Sequence, residues 1–255
     1  VSTTANQTFN DAVTLGGDAT LAGVDVNFAS TINGGANLVV NASGTTTFGA
    51  EIGGTTALTS LTTDAAGTLA NILADVTTTG DQSFGEAMTL GASVTFTGAN
   101  VTLGDSAALG ANNLTLDVTG ATSSTAGGIS GTGQLIKQGA GTLTLTGTGA
   151  GDNSYTGLTS VQGGTLVIGT GFGGDGAIKG NITVENTATL RFDVSNRVHN
   201  GANITVNAGG TFDANGNGDA IGQINGAGDI TLGGASLTLV SGGTFSGDIS
   251  EAGGL

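Results

Sequence analysis

Cysteine, proline and tryptophan are absent from the 255 residues. Without cysteine the chain can form neither a disulfide nor a thiolate metal site, a composition that suits export through an oxidising periplasm. Without proline every backbone N–H can donate, as a strand-dense structure requires. Charge is sparse and one-sided: four Lys and Arg stand against 19 Asp and Glu, for a net charge of −15. Residues 1–136 contain no Lys or Arg, and all the basic side chains lie between Lys137 and Arg197. Such a surface repels phosphate backbones and anionic lipid, which disfavours nucleic acid as a partner and the membrane surface as a docking site. The acidic balance instead keeps copies of the molecule apart in solution. No apolar run approaches the roughly 18–20 residues of a membrane helix, so direct membrane insertion of this segment is not expected. No signal peptide or initiating Met stands at Val1, and Gly253-Gly254-Leu255 breaks off in mid-pattern. The chain is therefore expected to be an excerpt of a longer protein.

What is abundant is glycine, 50 residues, and threonine, 43. Glycine supplies tight turns and threonine suits a pleated strand, so together they predict many short strands joined by many tight turns. A disordered Gly/Ser/Thr linker shares that composition, but a linker has no reason to alternate. Here Leu143 and Leu145, or Ile182 and Val184, recur with period two.

Internal repeats decide the architecture. Residues 4–28 match residues 79–103 at an offset of 75: Gln7 with Gln82, Phe9 with Phe84, Leu15 with Leu90, Gly23 with Gly98, Val26 with Val101. Further along, Leu38 and Val40 meet Leu114 and Leu116 at an offset of 76, as if a turn had gained one residue. In the second half, Ile182-Thr183-Val184 is echoed by Ile204-Thr205-Val206 after 22 residues and by Leu237-Thr238-Leu239 after a further 33. These spacings predict an all-β, right-handed, single-stranded parallel β-helix, a solenoid of about 22–25 residues per coil, with 75 residues as three coils. One coil cannot bury its own apolar face, so coils must stack. In the run 142–146 the leucines should face in and the threonines out. Phe9, Phe48, Phe84 and Phe96 are candidates for internal aromatic ladders. About eleven or twelve coils at strand spacing give a rod roughly 55 Å long.

A specific resemblance rests on Gly133, Leu135, Lys137, Gly139, Gly141, Leu143, Leu145, then Asn153, Tyr155, Gly157, then Val161, Gly164 and Leu166. This run resembles the autotransporter-associated β-strand repeat, with residues 148–152 as an enlarged turn. Residues 242–249 resemble the lead-in to another such unit. Residues 1–120 resemble the 75-residue repeats of filamentous-haemagglutinin-like surface proteins. The expected organisation is one continuous solenoid: residues 1–125 as 75-residue-type repeats, 126–241 as the autotransporter-type repeat and following coils, and 242–255 as the start of a further unit. The resemblance implies a non-catalytic stalk or passenger segment of a bacterial adhesin. It implies export through the outer membrane to the cell surface with the help of a translocator. It also implies contact with a host surface, matrix or polysaccharide, and self-association into fibres or biofilm.

Several β-helical proteins act on polysaccharides, and two clusters in this chain carry side chains suited to such chemistry. Arg191, Asp193, Arg197 and His199 gather both Arg and the only His. They could clamp a substrate beside a general base, but no second carboxylate pair is tied to them. The plainer reading is one outward charged strand with Arg191–Asp193 as a surface pair. Asp213, Asn215, Asn217 and Asp219 alternate with Ala and Gly like the oxygen ligands of a calcium loop, yet Asn and Asp beside Gly are more often turn formers. The glycine run 171–176 lacks the Gly-Lys-Ser/Thr of a phosphate loop. No cofactor is called for. A carbohydrate binder would present exposed aromatics, and Tyr155 is the only Tyr. An ice-binding face would need threonines at the same place in every coil, whereas the outward positions drift to Asn, Asp, Gln and Ser.

Overall fold

A computed structural model describes residues 1–146, 153–169 and 177–251. The chain winds as a parallel β-solenoid of about 12 turns, with no helix among the described residues. Every strand pairing among the described residues is parallel, and each joins a strand to one from the next coil rather than to its chain neighbour. Three ladders run along the axis. A twelve-stranded ladder extends from Ala19–Gly23 to Ile249–Ser250. An eight-stranded one extends from Val76–Thr77 to Ile224–Gly226, continued upstream by the bridges Ile52–Val76 and Ile32–Ile52. A seven-stranded one runs from Gln7–Phe9 to Ile129–Ser130.

Period-two alternation builds the core on every face. Strand Asn37–Ala42 alternates half-buried and buried. Strand Thr142–Leu145 turns Leu143 and Leu145 fully inward, both at 0% exposure, and leaves Thr142 and Thr144 on the outside. Because the strands are in register, like residues stack at the strand spacing. Phe9, Phe28 and Phe48 form one column, with ring centroids 4.9 and 5.6 Å apart. Phe84 and Phe96 stack at 5.0 Å, but they come from different ladders, so the expected aromatic ladder is two separate stacks.

The coils are shorter than expected in places. Leu166 sits above Leu190, 24 residues on, while Phe212 sits above Ile230, 18 residues on. The 75-residue repeat is likewise not three coils of 25. Gln7–Phe9 belongs to the seven-stranded ladder, but its repeat counterpart Gln82–Phe84 belongs to the twelve-stranded one. Between them the chain returns to the seven-stranded ladder at Val26–Phe28, Thr45–Phe48 and Leu69–Ile72, then stops one face short of a fourth return. The repeat therefore spans three circuits and two thirds of another, and the second copy faces a different side. Leu237–Leu239 is displaced in the same way: it pairs with Asp219–Ile221, whereas Ile204–Val206 pairs with Ile224–Gly226. The physical reason is that inward alternation is the same on all three faces, so the repeating unit is strand plus corner, not the circuit.

Side chains at the corners reach from coil to coil. Gln7 Nε2 donates to Ala22 O at 2.7 Å and to Thr3 Oγ1, and Thr3 Oγ1 donates to Ala5 O. In the second copy, Gln82 Nε2 donates to Thr97 O at 2.9 Å and to Thr78 Oγ1, and Thr78 Oγ1 donates to Gly80 O. The identical Gly23 and Gly98 make room: a Cβ on Gly98 would lie 2.8 Å from both Gly80 O and Thr78 Oγ1. The same latch is thus built twice, on two faces.

Candidate functional site

The acidic surface has a structural task as well as a solvating one. Asp and Asn side chains at corners accept backbone N–H bonds from the following coil. Asp25 Oδ1 takes Thr45 N–H at 2.8 Å, Asp75 Oδ1 takes Thr95 N–H at 2.7 Å, and Asn181 Oδ1 takes Asn203 N–H at 2.9 Å. At Asp18 the bonds from Asn37 hold the carboxyl below its ordinary range. Each such bond gives an amide at or beside the start of a strand a side-chain partner from the coil before it.

The charged cluster divides into two places. Arg191 Nε meets Asp193 Oδ1 at 3.0 Å, on side chains 45% and 41% exposed. Asn215 Nδ2 joins that pair by donating to Asp193 Oδ1 at 3.2 Å, and Arg191 lies one rung from Asp213. Arg197 and His199 lie at the next corner. The N–H groups of Arg197 and Val198 both donate to Asp219 Oδ2, at 2.9 and 3.0 Å. His199 Nδ1 accepts Gly201 N–H at 3.0 Å, which fixes that nitrogen as an acceptor within its own turn.

Residues 213–219 run from the end of strand Thr211–Asp213 through a turn at 215–216 to the start of strand Asp219–Ile221. Asp213 Oδ1 accepts Asn215 N–H at 2.9 Å, and Asn215 has a φ of +49°, a backbone position that Asn tolerates well. Asn217 Nδ2 donates to the carbonyls of Phe192 and Asn215 at 3.1 and 3.0 Å. Asp219 is buried, and its Oδ2 faces the Arg197 and Val198 N–H groups of the preceding coil. Among the described residues no three His, Cys, Asp or Glu side chains gather where they could hold a metal ion. Aromatic platforms are missing from the described surface: Tyr155 is fully buried, and only Phe9 and Phe245 reach even partial exposure. The glycine run 171–176 and the turn at 148–152 lie outside the described residues. An apolar hollow at the last coils is lined by Ile224, Ile230, Leu232, Leu237, Leu239 and Ile249, aliphatic side chains only.

The densest polar construction is internal and lies in the run from Leu135 onward. Lys137 occupies an inward position of strand Leu135–Gln138 and has 0% exposure. Its ammonium donates to Gln138 O at 2.6 Å, Gly139 O at 2.9 Å and Gly163 O at 3.1 Å. Three donors thus meet three carbonyls across two coils. Burial lowers its pKa to about 8, and Asp117 opposes the shift. The glycines of the motif shape this cage: Gly139 and Gly164 have φ of +72° and +60°, conformations that side chains resist.

Asn153 is a second internal staple. Its Oδ1 accepts Ile129 N–H at 2.7 Å from the preceding coil, and its Nδ2 donates to Ala177 O at 2.7 Å in the following one. Tyr155 fills the core beside it, its hydroxyl 2.6 Å from Thr159 Oγ1, and burial pushes the phenol pKa up. The Asn-x-Tyr segment stands where the seven-stranded ladder has ended at Ile129–Ser130. There the Asn153 side-chain bonds join irregular backbone bonds from the Ser154, Tyr155 and Thr156 N–H groups to the Ile129 and Gly131 carbonyls, in place of a regular strand.

The caged lysine and the asparagine staple lie close together in one stretch of this parallel solenoid. Residues 135–168, from the strand bearing Lys137 to the end of Gly164–Ile168, match the Passenger-associated-transport-repeat family. The chain thus carries an autotransporter passenger repeat. It is 35% identical over 133 residues to the adhesin BmaC autotransporter of Brucella suis biovar 1 (strain 1330). That alignment covers 49% of this chain and 4% of the Brucella protein, so the chain spans a small part of the relative it matches. No solved structure matches it.

Sequence reasoning counted Lys137 among the basic residues without placing it inside. The signal was present: two residues after Leu135, it shares the inward parity of the strand. The same parity places Glu86 inside, between Phe84 and Met88.

Proposed function

We propose that this chain is a stalk segment of a surface-displayed bacterial adhesin, a rigid β-helical rod without catalytic activity. The observation that carries the reading is the unbroken twelve-stranded parallel ladder from Ala19 to Ser250, with the passenger repeat inside it. Each circuit adds a rung of backbone hydrogen bonds and a layer of apolar side chains to its neighbour, so bending the rod must break many contacts at once. Arg191 and Asp193 serve on this reading as a solvated pair, and Asp213, Asn215, Asn217 and Asp219 as turn formers. The relative's name as an autotransporter adhesin supports display at the cell surface through an outer-membrane translocator.

The test is to insert the chain between a translocator barrel and a terminal epitope in a Gram-negative host. Surface labelling of the epitope, together with an increase in its height above the membrane of about 55–60 Å over a barrel-only control, is the expected result. Retention of the epitope in the periplasm, or a height unchanged by the insert, refutes the stalk. Turnover of a polysaccharide panel by the purified chain, abolished by Asp193→Asn, would favour the enzymatic alternative.

A further inference from the structure

One corner between the twelve- and seven-stranded ladders contains oxygen atoms that the rod itself does not satisfy. Three successive coils contribute to it. Thr46 lies in strand Thr45–Phe48, Thr63 ends strand Ser60–Thr63 with Asp64 following, and Glu86 joins Gln82–Phe84 to Met88–Leu90. Thr46, Thr63 and Glu86 are 0%, 2% and 3% exposed. Thr46 Oγ1, Thr63 Oγ1, Asp64 Oδ1 and both carboxylate oxygens of Glu86 are buried without a hydrogen-bond partner. The two hydroxyls lie near enough to favour the charge on Glu86, but neither closes a bond to it, and burial outweighs them and raises the carboxyl pKa.

Gly67 closes the corner against both carboxylates: a Cβ there would lie 3.5 Å from both Asp64 Oδ1 and the Glu86 carboxyl carbon, and 2.9 Å from Ala42 O, so a larger residue would crowd them. On its ladder Thr46 lies between Val26 and the small Ala70. Nothing nearby in the chain can neutralise the pair, because residues 1–136 contain no Lys, Arg or His. A buried carboxylate without a countercharge is costly. Only a proton or a cation from solution can answer it.

We propose that Thr46, Thr63, Asp64 and Glu86 bind a hard divalent cation, calcium in preference to magnesium, inside this corner. All the free atoms are oxygens, which rules in hard cations over zinc or copper. Two carboxylates match the double charge. Ligands drawn from three coils at an irregular corner suit the variable geometry of calcium and not the strict octahedron of magnesium. The ion would tie three consecutive coils together, where each backbone ladder bond ties two. With only two carboxylates the affinity belongs in the range of extracellular modules, roughly 0.1–1 mM.

The experiment uses the whole chain at pH 7, with thermal unfolding followed by circular dichroism in a chelator, in calcium chloride and in magnesium chloride. Equilibrium dialysis against radioactive calcium supplies the stoichiometry. Calcium at about ten times its dissociation constant should raise the Tm by about 3–6 °C, and magnesium should do markedly less. The near-isosteric Glu86→Gln should fold, lose the calcium response and bind about one ion fewer per chain; Asp64→Asn should weaken it in the same direction. A wild-type Tm and dialysis profile indifferent to calcium overturns the proposal, as does a Glu86→Gln variant that responds like the wild type. If wild type ignores calcium while Glu86→Gln is the more stable protein in chelator, a proton occupies the corner and the cation site is refuted.

Discussion

Asn153→Ala isolates the staple that replaces the lost third strand. The truncation removes an acceptor from Ile129 N–H and a donor from Ala177 O, both in buried bonds of 2.7 Å. Water cannot readily reach either orphan, since Asn153 has 0% exposure. A buried polar group left without its partner costs about 1–3 kcal/mol, so the pair costs about 2–6 kcal/mol. For a domain of this size that is a fall in Tm of the order of 5–15 °C. A solenoid is coupled mainly between neighbouring coils, so the damage should be local. Hydrogen exchange read by mass spectrometry should show lost protection in peptides covering Ile129–Ser130 and Ile182–Val184, and little change in strand Asn37–Ala42. Ser154→Ala, on an exposed side chain next door, is the control and should fall within about 0.5 kcal/mol of wild type. An Asn153→Ala variant as stable as that control, or one losing protection evenly along the chain, would refute the idea that one amide clamps three coils.

Three further outcomes follow from the same geometry. Lys137→Met leaves three carbonyls without their ammonium and should cost about 2–4 kcal/mol at pH 7. Because the folded pKa of Lys137, about 8, lies below its unfolded value of 10.5, the folded state releases the proton first; the wild-type advantage over Lys137→Met should grow from pH 8 towards 10.5, and an advantage that shrinks in denaturant titrations across that window would show that the three carbonyls outweigh burial and that the folded pKa is not lowered. For Glu86 in chelator the sign is opposite: burial raises its pKa, so its contribution is fully present below its ordinary value of 4.5 and is lost as pH rises through the folded value. Glu86→Gln should flatten that part of the stability profile, and an unchanged profile would show that the carboxyl is not the titrating group. Arg191→Ala and Asp193→Ala, on half-exposed side chains, should each shift stability by less than about 1 kcal/mol, and the effect should fade in high salt; a larger loss in either would show that the pair supports the fold.

Much of this architecture was legible in the sequence, for one physical reason. Alternation fixes which side chains face inward, so the burial of Leu143 and Leu145 could be written down in advance. The passenger repeat could be seen because its turn residues have no substitutes: Gly139 sits at positive φ, and Asn153 must both donate and accept. The circuit length could not be read off, because three faces with the same alternation leave no mark of which face a strand occupies. Lys137 and Glu86 were missed because inward positions are assumed to be apolar. Their parity places them inside, but nothing in the sequence marks the three carbonyls around Lys137 or the lack of a closed hydrogen bond at the Glu86 carboxylate. The cluster at Arg191, Asp193, Arg197 and His199 looked compact on paper because it is short in sequence; a corner separates its halves.

The mismatch between the 75-residue period and the circuit makes the rod behave like a spiral staircase. Whatever that period carries on the outside is shown a third of a turn away at the next copy, some 17–18 Å further along at ordinary strand spacing. A docking feature written into such a period would be offered in several compass directions, so a partner arriving from any side would meet one.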